Sequence, residues 1–236
     1  MVSNQWETAH VLDSIAERFP DNRRCGATTL RQCQLVMTRM LKILDFICGR
    51  HNINYWMTAG TLIGAIRHKG FIPWDCDIDV GISRLDLARL KRVIEEFPFD
   101  IFYQDSETDP YYPKQASVVK LRDRYSNYVE WQQKNPHAKW HNGLQVDLFV
   151  YQTDEHGLLI NPFKGTRYRQ DEIFPCTRLE FEGVPLCAPK TYDEYLRRRY
   201  GNYLKLPDPM HRIAHEGVAD PFTPCDHSES LPYGSD

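Results

Sequence analysis

Asp77 and Asp79 stand two residues apart in the segment Asp75-Cys76-Asp77-Ile78-Asp79-Val80. Alternate residues of an extended strand project from the same face, so the two carboxylates are expected side by side. Like charges held that close repel and raise each other's pKa unless a cation stands between them. Their all-oxygen donors suit a hard divalent ion, Mg²⁺ or Mn²⁺. Asp147 is a third acid, alone in the apolar stretch Leu144 to Val150. A carboxylate in such a strand is costly to bury unless it is paired or metal-bound, so Asp147 also wants a cation. Gly60-Thr61 adds a different capacity. Glycine lets a phosphate approach the backbone, a helix N-terminus offers free N–H groups, and threonine supplies a hydroxyl. Asp77, Asp79 and Asp147 are therefore the candidate metal ligands and catalytic acids, and Gly60 and Thr61 the candidate phosphate-binding pair.

These residues need a sheet to carry them. Ile53 to Thr58 is rich in β-branched and aromatic residues and predicts a strand. A short helix from Thr61 to His68 and a strand from Asp77 to Ile82 follow. Ser83 and Asp86 have the spacing of a helix cap, for a helix reaching about Phe97. Asp100 to Gln104 and Ser117 to Arg122 are predicted strands, with Tyr125 to Trp131 as a hairpin partner. Gly143 to Tyr151 alternates strongly and predicts the strand that carries Asp147. Upstream, Leu30, Cys33, Met37, Leu41, Leu44 and Cys48 recur at helical spacing, with Thr28 or Thr29 as cap and Gly49 as stop. A short helix around Ala9 to Arg18 is also expected. Downstream, Arg178 to Phe181 and Val184 to Leu186 flank the turn Glu182-Gly183 as a hairpin. Thr191 to Glu194 reads as a capping box for a helix to about Tyr200. The expected organisation is an extension over 1–27, one domain over 28–207, and a polar tail over 208–236.

The 236 residues are 42% hydrophobic, enough for a substantial core, and carry a net charge of −3. That charge gives no overall field to recruit nucleic acid, which is not expected as a partner. No window has the apolar length of a membrane span, and the first residues lack the apolar region of a secretory signal. A cytoplasmic location is the default expectation; a Golgi or secretory one would require an N-terminal anchor outside this chain. Seven cysteines without Cys-x-x-Cys spacing argue against a disulfide framework. Free thiols are the expectation, with a zinc site or disulfide at Cys25 and Cys33 as the alternative.

The segment GTLIGAIRHKGFIPWDCDIDVGI, residues 60–82, resembles the LicD family of the nucleotidyltransferase superfamily, to which fukutin-like proteins also belong. The segment VPLCAPKTYDEYLRRRYGNYLKLP, residues 184–207, is similar to the Pro-x-x-Tyr-x-x-Tyr-Leu and Tyr-Gly elements of that family. The resemblance covers roughly residues 30–207. It implies an α/β (α+β) nucleotidyltransferase fold, a mixed sheet flanked by helices, with a C-terminal hairpin and helix. It further implies Mg²⁺- or Mn²⁺-dependent transfer of a phospho-alcohol, such as phosphocholine or ribitol phosphate, from a CDP-linked donor to a hydroxyl of a glycan or glycoprotein, with CMP released. Many members carry an acid where Cys76 stands; Cys76 should point away from the metal. The alternatives are nucleotidyl transfer with release of pyrophosphate, hydrolysis of a nucleotide donor, and a non-catalytic binding domain.

Other residues have weaker claims. Arg67 and Lys69 follow the short helix and can contact donor phosphate, or simply complement the helix dipole. Lys120, with Arg122 on the same strand parity, can reach the donor phosphate from the neighbouring strand. Asp75 is a supporting ligand or a turn residue. His137 and His141 have i, i+4 spacing but lie in a predicted loop, so metal binding is not expected. Trp74 and Trp140 read as packing residues, with stacking on a cytosine or a quaternary ammonium as the alternative; Tyr192, Tyr195 and Tyr200 read as packing residues, with acceptor contact as the alternative, and Arg197 to Arg199 as a solvated face.

Overall fold

The computed structural model describes residues 15–114, 116–163, 165–214 and 217–227. The expected Ala9 to Arg18 helix lies mostly outside them. Helix α1 (Thr29–Arg50) opens at Thr28, whose side chain accepts the Arg31 N–H. It runs through Gly49 and closes at His51, so Gly49 does not stop it. Its predicted apolar face, including Cys33, Met37, Leu41, Leu44 and Cys48, is buried. Each such residue removed from water contributes roughly 1.5–3 kcal/mol.

Strand β1 (Tyr55–Met57), helix α2 (Ala59–His68), strand β2 (Ile78–Ser83) and helix α3 (Arg84–Leu90) follow in order. Ser83 caps α3 by accepting the Asp86 N–H, as its spacing predicts. The helix stops short of Phe97. A 3-10 turn over Ile94–Glu96 takes up the remainder, and Pro98 holds Phe97 extended. Next come β3 (Ile101–Gln104), β4 (Val118–Asp123), helix α4 (Val129–Lys134) and β5 (Gln145–Thr153). The segment Tyr125 to Trp131 is not a hairpin partner. Both edges of β4 are taken, one by β3 and the other by β5, so the chain turns away and forms α4 instead.

The sheet runs β1-β2-β5-β4-β3, with β2 and β5 parallel and the other pairs of this run antiparallel. Two short strands missing from the sequence-based expectation, β6 (Leu159–Ile160) and β7 (Arg167–Tyr168), extend it from the end of β5. A four-residue helix, α5 (Gln170–Ile173), precedes the expected hairpin of β8 (Thr177–Phe181) and β9 (Val184–Ala188). Helix α6 (Tyr192–Tyr200) completes the expected C-terminal elements. The Thr191 side chain does not cap it; its hydroxyl donates to the Glu172 carbonyl instead. The architecture is the mixed sheet with flanking helices that the resemblance implies.

The core extends beyond residues 28–207: Ile15 and Ala219 belong to it. The Arg23 guanidinium donates to both Asp123 oxygens, and Asp220 bridges to Asn127. Among the described residues no helix is long and apolar enough to cross a membrane. The seven cysteines are free, with Cys33 buried and Cys25 exposed, so no disulfide joins them.

Candidate active site

The acids gather because of strand register. Asp79 on β2 is paired with Asp147 on β5, and Asp147 with Lys120 on β4. One row across three strands therefore reads acid, acid, lysine. Asp77 sits immediately before β2 and Asp75 in the preceding loop. Asp75, Asp79 and Asp147 are buried and Asp77 is half-buried. Burial and the charges of Asp79, Asp75 and Asp147 push the Asp77 carboxyl well above the usual carboxylate range. Burial, Asp147 and Asp75 do the same to Asp79, against the opposing pull of Lys120 and Arg199. Cys76 is buried in the core, away from this face as expected.

The junction between β1 and α2 lies against the acids. Thr61 Oγ accepts the backbone N–H of Asp79 at 2.7 Å, which fastens the start of α2 to β2. Ala59 has φ 45°, a left-handed conformation that is strained for a residue with a side chain. Gly60 follows it, and a Cβ there would stand 2.7 Å from Asp75 Oδ2. A side chain at this position would make the Asp75 carboxylate shift, which favours glycine here. The Thr58 hydroxyl and the Tyr195 hydroxyl are 2.7 Å apart, and Tyr195 contacts the Tyr151 hydroxyl at the same distance. This buried chain locks the junction to α6.

A cleft of about 750 Å³ opens in front of Gly60, Asp75, Asp77 and Asp79. Its far wall is the end of α6 and the loop after it, including Arg199, Tyr200, Tyr203, Lys205 and His211. The volume is of the size that holds a small-molecule ligand. Arg67 lines it as well, donating one N–H to the Tyr203 carbonyl at 3.2 Å. A smaller apolar cavity of about 280 Å³ lies beside β3 and Phe99, with no cluster of acids.

Several candidates fall elsewhere. Lys69 does not line the cleft; its ammonium pairs with Glu180 at 3.1 Å on the hairpin. Lys120 does not stand free for phosphate. It donates to Asp147 Oδ1 at 2.6 Å and to Gln145 Oε1 at 3.0 Å. Asp147 is held behind the cleft wall, its other oxygen accepting from Gln145 Nε2 at 3.2 Å. Arg122 is also engaged, with Gln104 and the Gly143 carbonyl. Trp74 lines the cleft, but the Arg212 guanidinium lies 5.6 Å from its ring centre. Trp140 packs against Trp131 and Tyr112, and His141 is buried against Cys225. Arg197 and Arg198 are exposed as expected, but Arg199 is not part of a solvated face.

Among the described residues no three His, Cys, Asp or Glu side chains form a group that would hold a metal ion as they stand. The donor chemistry nevertheless fits a hard cation. Asp77 and Asp79 are desolvated, mutually repelling carboxylates facing a cleft, and only Asp147 has a lysine against it.

A mixed sheet bearing paired acids beside a Gly-containing strand-to-helix junction defines a nucleotidyltransferase-type domain. The model for "LicD/FKTN/FKRP, nucleotidyltransferase domain" matches residues 52–191, and the chain belongs to this family. The chain is 27% identical over 245 aligned residues to the lipopolysaccharide cholinephosphotransferase LicD of Haemophilus influenzae, covering 76% of this chain and 92% of that protein. It is 25% identical over 202 residues to the mouse ribitol 5-phosphate transferase FKRP, covering 83% of this chain and 37% of the relative. The mouse ribitol-5-phosphate transferase FKTN is 23% identical over 162 residues, with 66% and 30% covered. This chain thus spans about a third of the two animal proteins. A crystal structure of the lincosamide adenylyltransferase LnuA superposes with a TM-score of 0.41 at 14% identity, covering 73% of this chain and 89% of that one.

Proposed function

We propose that this protein transfers a phospho-alcohol from a CDP-linked donor to a glycan hydroxyl and releases CMP, with Mg²⁺ or Mn²⁺ as cofactor. The observation that carries this reading is that Asp77 and Asp79 face a cleft entered by the Gly60 junction, with Asp147 in register beside Asp79 on the neighbouring strand. The names of the relatives support it, since LicD moves a cholinephosphate and FKRP and FKTN a ribitol phosphate.

In the reaction, the acceptor oxygen forms a new bond to the phosphorus that bears the alcohol. The bond from that phosphorus to the oxygen bridging to CMP breaks, and its electron pair leaves with CMP. Asp77, Asp79 and Asp147 would hold the metal, which would lower the pKa of the attacking hydroxyl and offset charge on the leaving phosphate. Gly60 and the N-terminus of α2 receive the donor phosphates. Thr61 acts by tying α2 to Asp79. Asp147, paired with Lys120, is the proposed acceptor of the hydroxyl proton.

The test is product analysis with CDP-choline and CDP-ribitol, Mn²⁺ and a lipopolysaccharide or O-glycan acceptor, using wild type and Asp79→Asn. Acceptor-dependent CMP release, lost in the variant, is expected. Pyrophosphate release from a nucleoside triphosphate would indicate nucleotidyl transfer instead. CMP release without acceptor would indicate a hydrolase, and no turnover with any donor would leave a binding domain.

A further inference from the structure

The three arginines at the end of α6 differ in their partners. Arg197 pairs with Asp193 at 2.7 Å and Arg198 with Glu172 at 2.6 Å. Arg199 has no such partner among the described residues: its Nε and one Nη are buried without a hydrogen bond. Its guanidinium lies 5.1 Å from the Tyr200 ring centre and lines the cleft that holds Asp75, Asp77 and Asp79. Neither Asp77 nor Asp79 forms an ion pair with it among the described residues, although its charge is felt at Asp79. Buried donors without acceptors are costly, and guanidinium donors in a fixed fork match phosphate oxygens in geometry. Across the same cleft, Arg67 Nε is likewise buried without an acceptor. A cleft that leaves cationic donors unmatched beside carboxylates calls for a ligand carrying oxyanions.

We propose that Arg199 is a binding residue for the donor, its guanidinium gripping the diphosphate oxygens from the wall opposite the Gly60 junction. This assignment rests on the reading that the cleft takes a CDP-linked donor. Tyr200 holds the guanidinium plane in place, and the Tyr195 hydroxyl contacts hold α6 against the Thr58 junction. The two walls therefore keep a fixed spacing around the diphosphate.

Isothermal titration with inorganic pyrophosphate, CDP and cytidine, each with Mn²⁺, tests this on wild type, Arg199→Gln, Arg199→Lys and Arg197→Gln. Arg199→Gln is expected to weaken pyrophosphate and CDP about tenfold or more, the equivalent of one charge-assisted contact, while leaving cytidine unchanged. Arg199→Lys should fall between, since it keeps the charge and loses the fork, and it provides the measurement should the glutamine variant not fold. Arg197→Gln should match wild type. Equal affinity of wild type and both Arg199 variants for pyrophosphate and CDP overturns the assignment, as does failure of wild type to bind either. If pyrophosphate binds through Arg199 but CDP binds no more tightly than pyrophosphate and cytidine not at all, the assignment of Arg199 to phosphate stands and the CDP donor is wrong.

Discussion

Lys120 Nζ lies 2.6 Å from Asp147 Oδ1, and the two residues face each other directly across β4 and β5. Both side chains are largely buried, so the lysine stands where a cation is needed to hold the third acid. Removing one member of a buried pair leaves the other uncompensated, at a cost of about 3–5 kcal/mol. Lys120→Met should therefore lower the melting temperature in EDTA by about 6–20 °C, at roughly 2–4 °C per kcal/mol for a chain of this size. Mn²⁺ should restore part of the loss, and Asp147→Asn in the same background should restore part of it without metal. A Lys120→Met protein as stable as wild type in EDTA would show that the pair does not govern the acid.

Asp79 has the opposite balance. Burial and its neighbours raise its carboxyl pKa, so its charge is a penalty to folding that is present at neutral pH and relieved as pH falls. Asp79→Asn should raise the melting temperature in EDTA by a few degrees at pH 7.5, with the gain vanishing at acidic pH, and should abolish turnover. Differential scanning calorimetry at two pH values checks it; a lowered melting temperature at pH 7.5 would mean the charge is already satisfied.

Much of this site can be read from local sequence, and the missing parts have a common cause. The Asp77-x-Asp79 spacing, the Gly60 junction and the lone acid Asp147 are each visible within a few residues, although the register that sets Asp147 beside Asp79 is not. The pairing of Lys120 with Asp147 depends on register between β4 and β5, which no local pattern encodes. Lys69 looks like Arg67 in sequence, yet it sits beyond the end of α2 in a left-handed conformation and reaches the hairpin instead of the cleft. Arg199 was hidden by the run of three arginines. Its helical position offered a signal: it follows the fully buried Tyr195 by four residues, so it shares the inward face of α6. The tail was masked by its polar composition, although Cys225 lies buried against His141.

His141 makes stability fall in acid. Burial and the Arg122 charge push its imidazole pKa down to about 3 from 6.5. Between those values the unfolded chain binds a proton that the folded chain refuses, so this contribution is present above pH 6.5 and is lost as pH falls toward 3. The slope is at most about 1.4 kcal/mol per pH unit. Urea unfolding from pH 7 to pH 4.5 should show a steeper loss in wild type than in His141→Gln. The difference between the two proteins isolates this group from the acids, whose raised pKa values act in the opposite direction. Parallel pH profiles would mean that His141 is protonated in the folded state.

Cys187 should be a reactive thiol. The neighbouring Cys176 and the Arg178 guanidinium, whose Nη1 lies 3.0 Å from its sulfur, together bring its pKa to about 7 despite partial burial. An ordinary thiol titrates near about 8.5. Alkylation by iodoacetamide, followed by peptide mass spectrometry, should reach half its limiting rate at Cys187 near pH 7. Cys176→Ala should move that midpoint upward most, because it removes the largest stabilising contact, and Arg178→Gln should move it upward as well. The buried thiols Cys33 and Cys48, whose pKa values are raised by burial, should remain unmodified over the same range in the folded protein. A midpoint for Cys187 at or above that of an ordinary thiol, unmoved by either substitution, would show that neither contact persists in solution.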